Sequence, residues 1–382
     1  MDKKLIEKLD DVLDCGIFFD KSYPQVKDIN KFKSRIDYIF DEKIVGNKDQ
    51  LIAAFLLIYS IAWKLNIFPS SLQKIYKAQA SHEISPQIKI LSLDVTEDSF
   101  ENLRILFNSM NKEETKLLSF SINPKQMDQT WFFPYITKIL AAAIMEDYSG
   151  PIFLQTDNIY FDPLSFENDR DNLLDRLKKI TQNAIKSGIY NLNLNASELI
   201  DPDKSVTSEK MLMNLKMVAM VTNLWVRNYQ PNGITVSVSG KLGKLAVDFI
   251  QKDELKDYLK RLMKEGSRLR FNTAGDDISK IVVDYRTGNK ASADYLGSLK
   301  LIAQNEFGLG GLALDLGEVN NISQITQLKN YEVCEIKARL VDNLKNEKTY
   351  QEIIRTCDIQ KKIDISDEYA MKIDQFPKMN EY

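Results

Sequence analysis

The 382-residue chain carries 51 basic and 54 acidic side chains, a net charge of −3, with 44% hydrophobic and 27% charged positions. Those proportions belong to a globular protein long enough to bury a large core without staples, and they exclude disordered and collagen-like classes. The two signs are interspersed, which leaves no clustered basic face for nucleic acid, so no nucleic-acid partner is expected.

The N-terminus, MDKKLIEKLDD, is charged and lacks the apolar core of a secretory leader. Three cysteines, Cys15, Cys334 and Cys357, are widely separated and odd in number, which argues for a reducing compartment rather than a disulfide framework. Together these features predict a cytoplasmic protein.

Residues 1–85 read as an N-terminal helical region packing on the remainder of the chain. LIEKLDDVLD, DINKFKSRIDYIF and DQLIAAFLLIYSIAWKL repeat apolar residues at three- and four-residue intervals, and no strand alternation stands out. Asn47 or Asp49 is placed to cap the third helix. The most apolar run, Leu51 to Trp63, is too short to cross ~30 Å of hydrocarbon, so a core helix and no membrane association are expected. His82, in the loop-like KAQASHEISPQ, reads as structural.

From residue 86 to 340 short apolar or alternating runs each precede a longer helical stretch. The predicted strands are 88–95, 116–123, 151–158, 190–197, 234–241, 280–286, 311–317 and 333–339. Strand alternating with helix implies βαβ units and a parallel sheet. Eight such strands over this length predict a closed (β/α)8 TIM barrel rather than a doubly wound sheet, since no strand leads into GxGxxG or a Walker loop. The helical stretch around Met211, Met213, Met217 and Met220 reads as core packing. Residues 341–382 are predicted as a C-terminal helix and polar tail. The fold expected is thus α/β, a (β/α)8 barrel with an N-terminal helical extension and a C-terminal helical tail.

In such a barrel the chemistry lies at the C-terminal ends of the strands. That rule selects Asp94, Asn123, Asp157, Asn158, Asn195, Ser197, Ser239, Lys241, Arg286, Asn289, Lys290, Asp315, Glu318, Lys337 and Arg339. Strand alternation puts Lys337 and Arg339 on one face.

The order of motifs GPIFLQTDN, NLNLNASELID, GITVSVSGKLG, ISKIVVDYRTGNKAS and EFGLGGLALDLG resembles the barrel of class II ketose-bisphosphate (fructose or tagatose bisphosphate) aldolases, from about Thr115 to Arg339. The resemblance implies a zinc ion held by three histidines, acting as a Lewis acid on a ketose carbonyl. It also implies an aspartate acid beside the first histidine, and Gly-rich loops with a basic side chain for phosphate.

The chain departs from that pattern at each ligand. Its one histidine precedes the barrel, and the ligand positions carry Asn158, Asn289 and Asp315. Amide oxygens are weak neutral donors, so no zinc cofactor is expected; a weak Mg²⁺-type site is the most such a set could make. Asp157 keeps the position of the catalytic acid. Asn195, Arg286, Lys290, Lys337 and Arg339 are candidates to bind a sugar phosphate, and Lys241 is a tentative imine-forming residue, with Lys337 as its alternative.

The resemblance and its losses together predict a catalytically degenerate aldolase-like protein. It would act as an accessory subunit, as a homo-oligomer or beside a catalytic aldolase, or as a sugar-phosphate-binding protein. The alternative is an active aldehyde-lyase or epimerase using a Schiff-base lysine or a weak Mg²⁺ site.

Overall fold

The computed structural model describes residues 3–20, 23–41, 46–85, 88–124, 132–196, 221–241, 278–285, 292–357 and 369–373, with isolated positions at 199 and 217 and within 252–260. The chain opens with helix α1 (Lys3–Leu13), a hairpin of β1 (Ile17–Asp20) and β2 (Tyr23–Val26), and helices α2 (Ile29–Arg35) and α3 (Lys48–Lys64). Asn47 caps α3, accepting from the Gln50 backbone while the Gln50 side chain reaches back to the Asn47 N–H. The centre of α3, from Ala53 to Ala62, is buried throughout, as its apolar run requires.

The first eighty residues are not wholly helical. The β1–β2 hairpin covers one edge of α3, and β3 (Ile67–Ser70) joins the main sheet by pairing in parallel with the first half of β6 (Gly150–Tyr160). Strands β1 and β3 are four residues long, too short for alternation to declare them in sequence. Helix α4 (Gln73–Ala80) then turns beneath the barrel.

Eight parallel strands close the barrel: β4 (Ile90–Asp94), β5 (Leu118–Ile122), β6, β7 (Asn191–Asn195), β8 (Ser237–Lys241), β9 (Lys280–Asp284), β10 (Leu312–Val319) and β11 (Glu335–Leu340). β11 pairs with β4 and β6 with β7, so the ring has no edge. Each strand keeps close to its predicted bounds. The (β/α)8 fold is therefore the observed one. Among the described helices around it are α5 (Phe100–Lys112), α6 (Phe133–Met145), α7 (Pro163–Asn168), α8 (Arg170–Lys186), α9 (Ala293–Phe307) and α10 (Glu347–Cys357). Of the predicted helices, those at 208–226 and 253–266, with Met211, Met213 and Met220, lie largely outside the described residues.

Alternation along the strands divides the core in two. Leu91, Leu93, Leu118, Phe120, Leu192 and Leu194 face outward into the apolar layer under the helices. The inward residues are polar at most levels, where barrels of this type ordinarily place Val, Ile and Leu. Only the floor is apolar: Ile90, Phe153, Val282 and Ala313 pack on Ile75 and Tyr76 of α4. Helix α4 sits so close that a Cβ at Gly310 would come within 2.8 Å of the Tyr76 side chain, so glycine is required there.

Level with these apolar floor residues lies a closed ionic network. Lys280 and Glu335, on β9 and β11, form a fully buried ion pair. Tyr76 donates to Glu335, and the Lys280 ammonium donates to Tyr76 Oη at 2.8 Å and to Gln155 Oε1 at 3.0 Å. Gln155 donates in turn to Ser92 at 3.0 Å and to Glu335 at 3.2 Å. Burial and the Glu335 carboxylate push the Tyr76 hydroxyl well above its usual range.

Candidate active site at the barrel mouth

Two irregular strands shape the mouth. In β6 the residues Asp157 and Asn158 oppose the single residue Asn193 of β7, a bulge in which Asn158 takes φ +56°. In β10 the register shifts after Asp315, and Gly317 takes φ +64°, a conformation that glycine adopts without strain. The Gly317 N–H donates to Asp315 Oδ1 at 3.1 Å and so fixes that carboxylate.

The bulged strands bring together residues from six strands. Lys337 on β11 donates to Asp157 and lies 3.8 Å from Asp315 Oδ2. Lys241 on β8 holds the same Asp315 oxygen at 2.9 Å and Asp284 of β9 at 2.6 Å. Arg339 grips Asp94 of β4 through Nε at 2.9 Å and Nη2 at 2.6 Å, while the other Asp94 oxygen accepts from Thr96 N–H at 3.0 Å and its hydroxyl at 2.6 Å. Lys241 and Lys337 are almost completely buried; Arg339 keeps about a third of its side chain in solvent.

The two carboxylates that share Lys337 titrate in opposite directions. Burial raises Asp157 above the ordinary carboxylate range, and Asp315 and Asp94 add to the effect, more than Lys337 lowers it. Asp315 is buried too, yet Lys337 and Lys241 together hold it below that range. Burial alone would lower Lys337; Asp157 and Asp315 outweigh it and keep the ammonium charged. The two environments thus disfavour charge on Asp157 and favour it on Asp315.

Of the sequence-derived candidates, Asp157, Lys241, Asp315, Lys337 and Arg339 therefore form one connected mouth. Asn195 is buried at the end of β7, where its backbone carbonyl accepts from Phe161. Asn158 sits on the β6 bulge with its Oδ1 buried. Arg286, Asn289 and Lys290 lie outside the described residues. His82 hydrogen-bonds Asn305 at 3.2 Å on the exposed side of α4, in keeping with a structural role.

Sequence reasoning passed over Asp284, choosing Arg286 from the same strand end. It also passed over the inward polar residues Ser119, Ser121, Asn193, Lys280 and Glu335. The available signal was parity: Asp284 shares a face with Lys280, and Glu335 shares one with Lys337 and Arg339.

Of the ligand positions implied by the resemblance, Asn289 lies outside the described residues, while Asn158 and Asp315 are placed at the mouth. Asp315 is held by the Lys241 ammonium at 2.9 Å, with the Lys337 ammonium 3.8 Å from the same oxygen, so positive charge already faces that carboxylate. Among the described residues no group of three or more His, Cys, Asp or Glu side chains is arranged to hold a metal ion. Nor is any described helix long and apolar enough to cross a membrane.

No protein-family model matches the chain, and no curated protein does. Solved structures do resemble it. A protein from Coccidioides immitis named as a fructose-1,6-biphosphate aldolase shares 13% identity at a TM-score of 0.42, over 78% of this chain and 98% of that one. A Burkholderia cenocepacia protein named as a phosphonomutase shares 11% identity at a TM-score of 0.39, covering 69% and 92%. A truncated 3-deoxy-D-arabino-heptulosonate 7-phosphate synthase from Thermotoga maritima shares 9% at 0.38, covering 75% and 89%. At these values the likeness concerns the barrel alone.

Proposed function

We propose that this chain is an aldolase-like barrel of sugar-phosphate metabolism that has given up zinc-dependent aldol cleavage and works by binding, as an accessory subunit or as a sugar-phosphate-binding protein. One observation supports the reading: Lys241 holds Asp315 at 2.9 Å and Lys337 stands 3.8 Å from the same oxygen, so this carboxylate already faces protein cations where the resemblance implies a metal. An ammonium neutralises a buried carboxylate but offers no open coordination site at which a carbonyl oxygen could be polarised. The charged mouth remains polar and connected to solvent through Arg339 and Asp284, which suits a polar ligand.

The test is a cleavage assay of chelated, repurified protein on fructose and tagatose bisphosphates, with and without added zinc. No cleavage is expected under either condition. Turnover restored by zinc would contradict the reading.

A second reading, a lyase or epimerase without zinc, draws on the split between Asp157 and Asp315, since a raised carboxyl beside a fixed anion can move a proton. Its imine branch is disfavoured at Lys337, whose raised pKa keeps the amine protonated and non-nucleophilic. Borohydride treatment with a ketose phosphate should leave no adduct at Lys241 or Lys337; a trapped adduct would revive it.

A further inference from the structure

The two sides of the barrel mouth are furnished differently. On β8–β11 and β4 the ions satisfy one another: Lys241 with Asp284 and Asp315, Arg339 with Asp94, and Lys337 with Asp315 and, across the mouth, Asp157. On β5, β6 and β7 the polar atoms are uncharged apart from Asp157, and four of them are buried with no hydrogen-bond partner among the described residues. These are Ser119 Oγ, Ser121 Oγ, Asn193 Nδ2 and Asn158 Oδ1.

Ser119, Ser121 and Asn193 point into the barrel. Ser121 lies in register between Asp94 and Gln155, and Gln155 reaches across to Lys280 and Glu335, which only an inward side chain can do. Ser119 is in register with Ser92, the other partner of Gln155. Their strand neighbours Leu118, Phe120 and Ile122 face the helices. Asn193 likewise alternates with the outward Leu192 and Leu194, and it stands opposite the bulge that carries Asp157 and Asn158. Its Oδ1 is taken by the Ser239 hydroxyl, which leaves the amide nitrogen as a donor.

Buried polar atoms are almost always paired, and several left open on adjacent strands of one wall mark a place where something else pairs with them. The chemistry on offer from the inward side chains is two hydroxyls and one amide N–H donor. An anion would meet the Asp157 carboxylate there, and the nearby cations are already neutralised. A neutral carbon chain bearing adjacent hydroxyls can donate to Asp157 and accept from Asn193 and the serines.

We propose that the β5–β6–β7 wall is a subsite for the unphosphorylated, hydroxyl-bearing segment of a sugar or polyol, and that any phosphate of the ligand stays outside it. This inference rests on the reading of the mouth as a sugar-phosphate site and adds which part of the ligand enters the barrel.

The test measures binding of D-fructose, D-fructose 1,6-bisphosphate and inorganic phosphate to the full chain by calorimetry and saturation-transfer NMR. Wild type, Ser121→Ala and Ser119→Ala are compared, each with its ligand-free melting temperature. Both sugars should bind wild type and inorganic phosphate should not. Ser121→Ala should leave the free protein as stable as wild type or more so, because it removes an unpaired buried hydroxyl. The same change should weaken both sugars about 3- to 10-fold, the loss of one neutral hydrogen bond.

If the bisphosphate binds but both serine variants bind it as wild type does, or if inorganic phosphate binds as well as the bisphosphate, the subsite is wrong while the sugar-phosphate reading stands. A sharp fall in the melting temperature of Ser121→Ala with unchanged affinities would make the hydroxyl structural and overturn the subsite as well. If neither sugar binds wild type, the sugar-phosphate reading fails and the subsite falls with it.

Discussion

The barrel interior holds two ionic networks one above the other, built by the same strand alternation and finished in different ways. The lower one, Lys280 with Glu335, Tyr76, Gln155 and Ser92, is roofed by protein on every side and floored by α4. The upper one, around Lys241, Asp315, Lys337 and Asp157, grades into solvent at Asp284 and Arg339. In the lower network charge is matched one to one and has nothing left to give. In the upper one four carboxylates share three cations, and two of those carboxylates are displaced in their titration in opposite directions. A buried ion pair is therefore not a site in itself; the surplus group and the open side make it one.

The comparison can be broken at several points. The largest effect should come from the lower pair, where Glu335→Ala strands the Lys280 ammonium in a closed cavity and should cost about 3–5 kcal/mol in denaturant unfolding. The upper pair should be more forgiving. Lys337→Met should cost about 1–2 kcal/mol, because Asp315 keeps Lys241 and Asp157 can take up a proton instead of remaining an uncompensated charge. Equal losses for the two variants would erase the distinction between the networks.

A pH series sharpens it. Asp157 has a folded pKa above its ordinary value of 3.8, so between the two values the native state binds more protons than the unfolded chain. The contribution of Asp157 to stability is then greatest at low pH and declines as pH rises through the folded value. Asp315 has the opposite sign, its contribution being present at neutral pH and lost only in strong acid. Wild type measured against Asp157→Asn should accordingly lose relative stability as pH rises from about 4 to 7. A difference that grows with pH would contradict the assignment. A smaller effect belongs to Arg339→Gln, which should cost about 1 kcal/mol: the guanidinium is a third exposed, and the buried Asp94 keeps its two bonds from Thr96.

The barrel was legible in the sequence because strand and helix periods differ and alternate: each of the eight strands, from IKILSLDV to VCEIKAR, carries its own apolar run. The strand-end rule also found Asp157, Lys241, Asp315, Lys337 and Arg339. What stayed hidden depends on contacts between distant segments. β3 is four residues that become a strand only because β6 offers an edge, and the role of α4 as a floor follows from Tyr76 meeting Glu335 across 259 positions of sequence. The pairing of Lys337 with Asp157, and of Lys241 with Asp315, is likewise a matter of register and of two bulges that local pattern does not announce. Parity was available to place Lys280 and Glu335 inside the barrel and was not used for them; even so, a lone charge in a strand carries no sign of its partner until the ring closes.

The claim that ammonium groups stand where a metal would sit is tested most directly by titrating zinc into chelated protein by calorimetry, with Asp315→Ala alongside. Wild type should take up no stoichiometric zinc, and the variant should behave the same way. One equivalent bound by wild type and lost in Asp315→Ala would show that Asp315 is a metal ligand and that Lys241 and Lys337 give way to the ion.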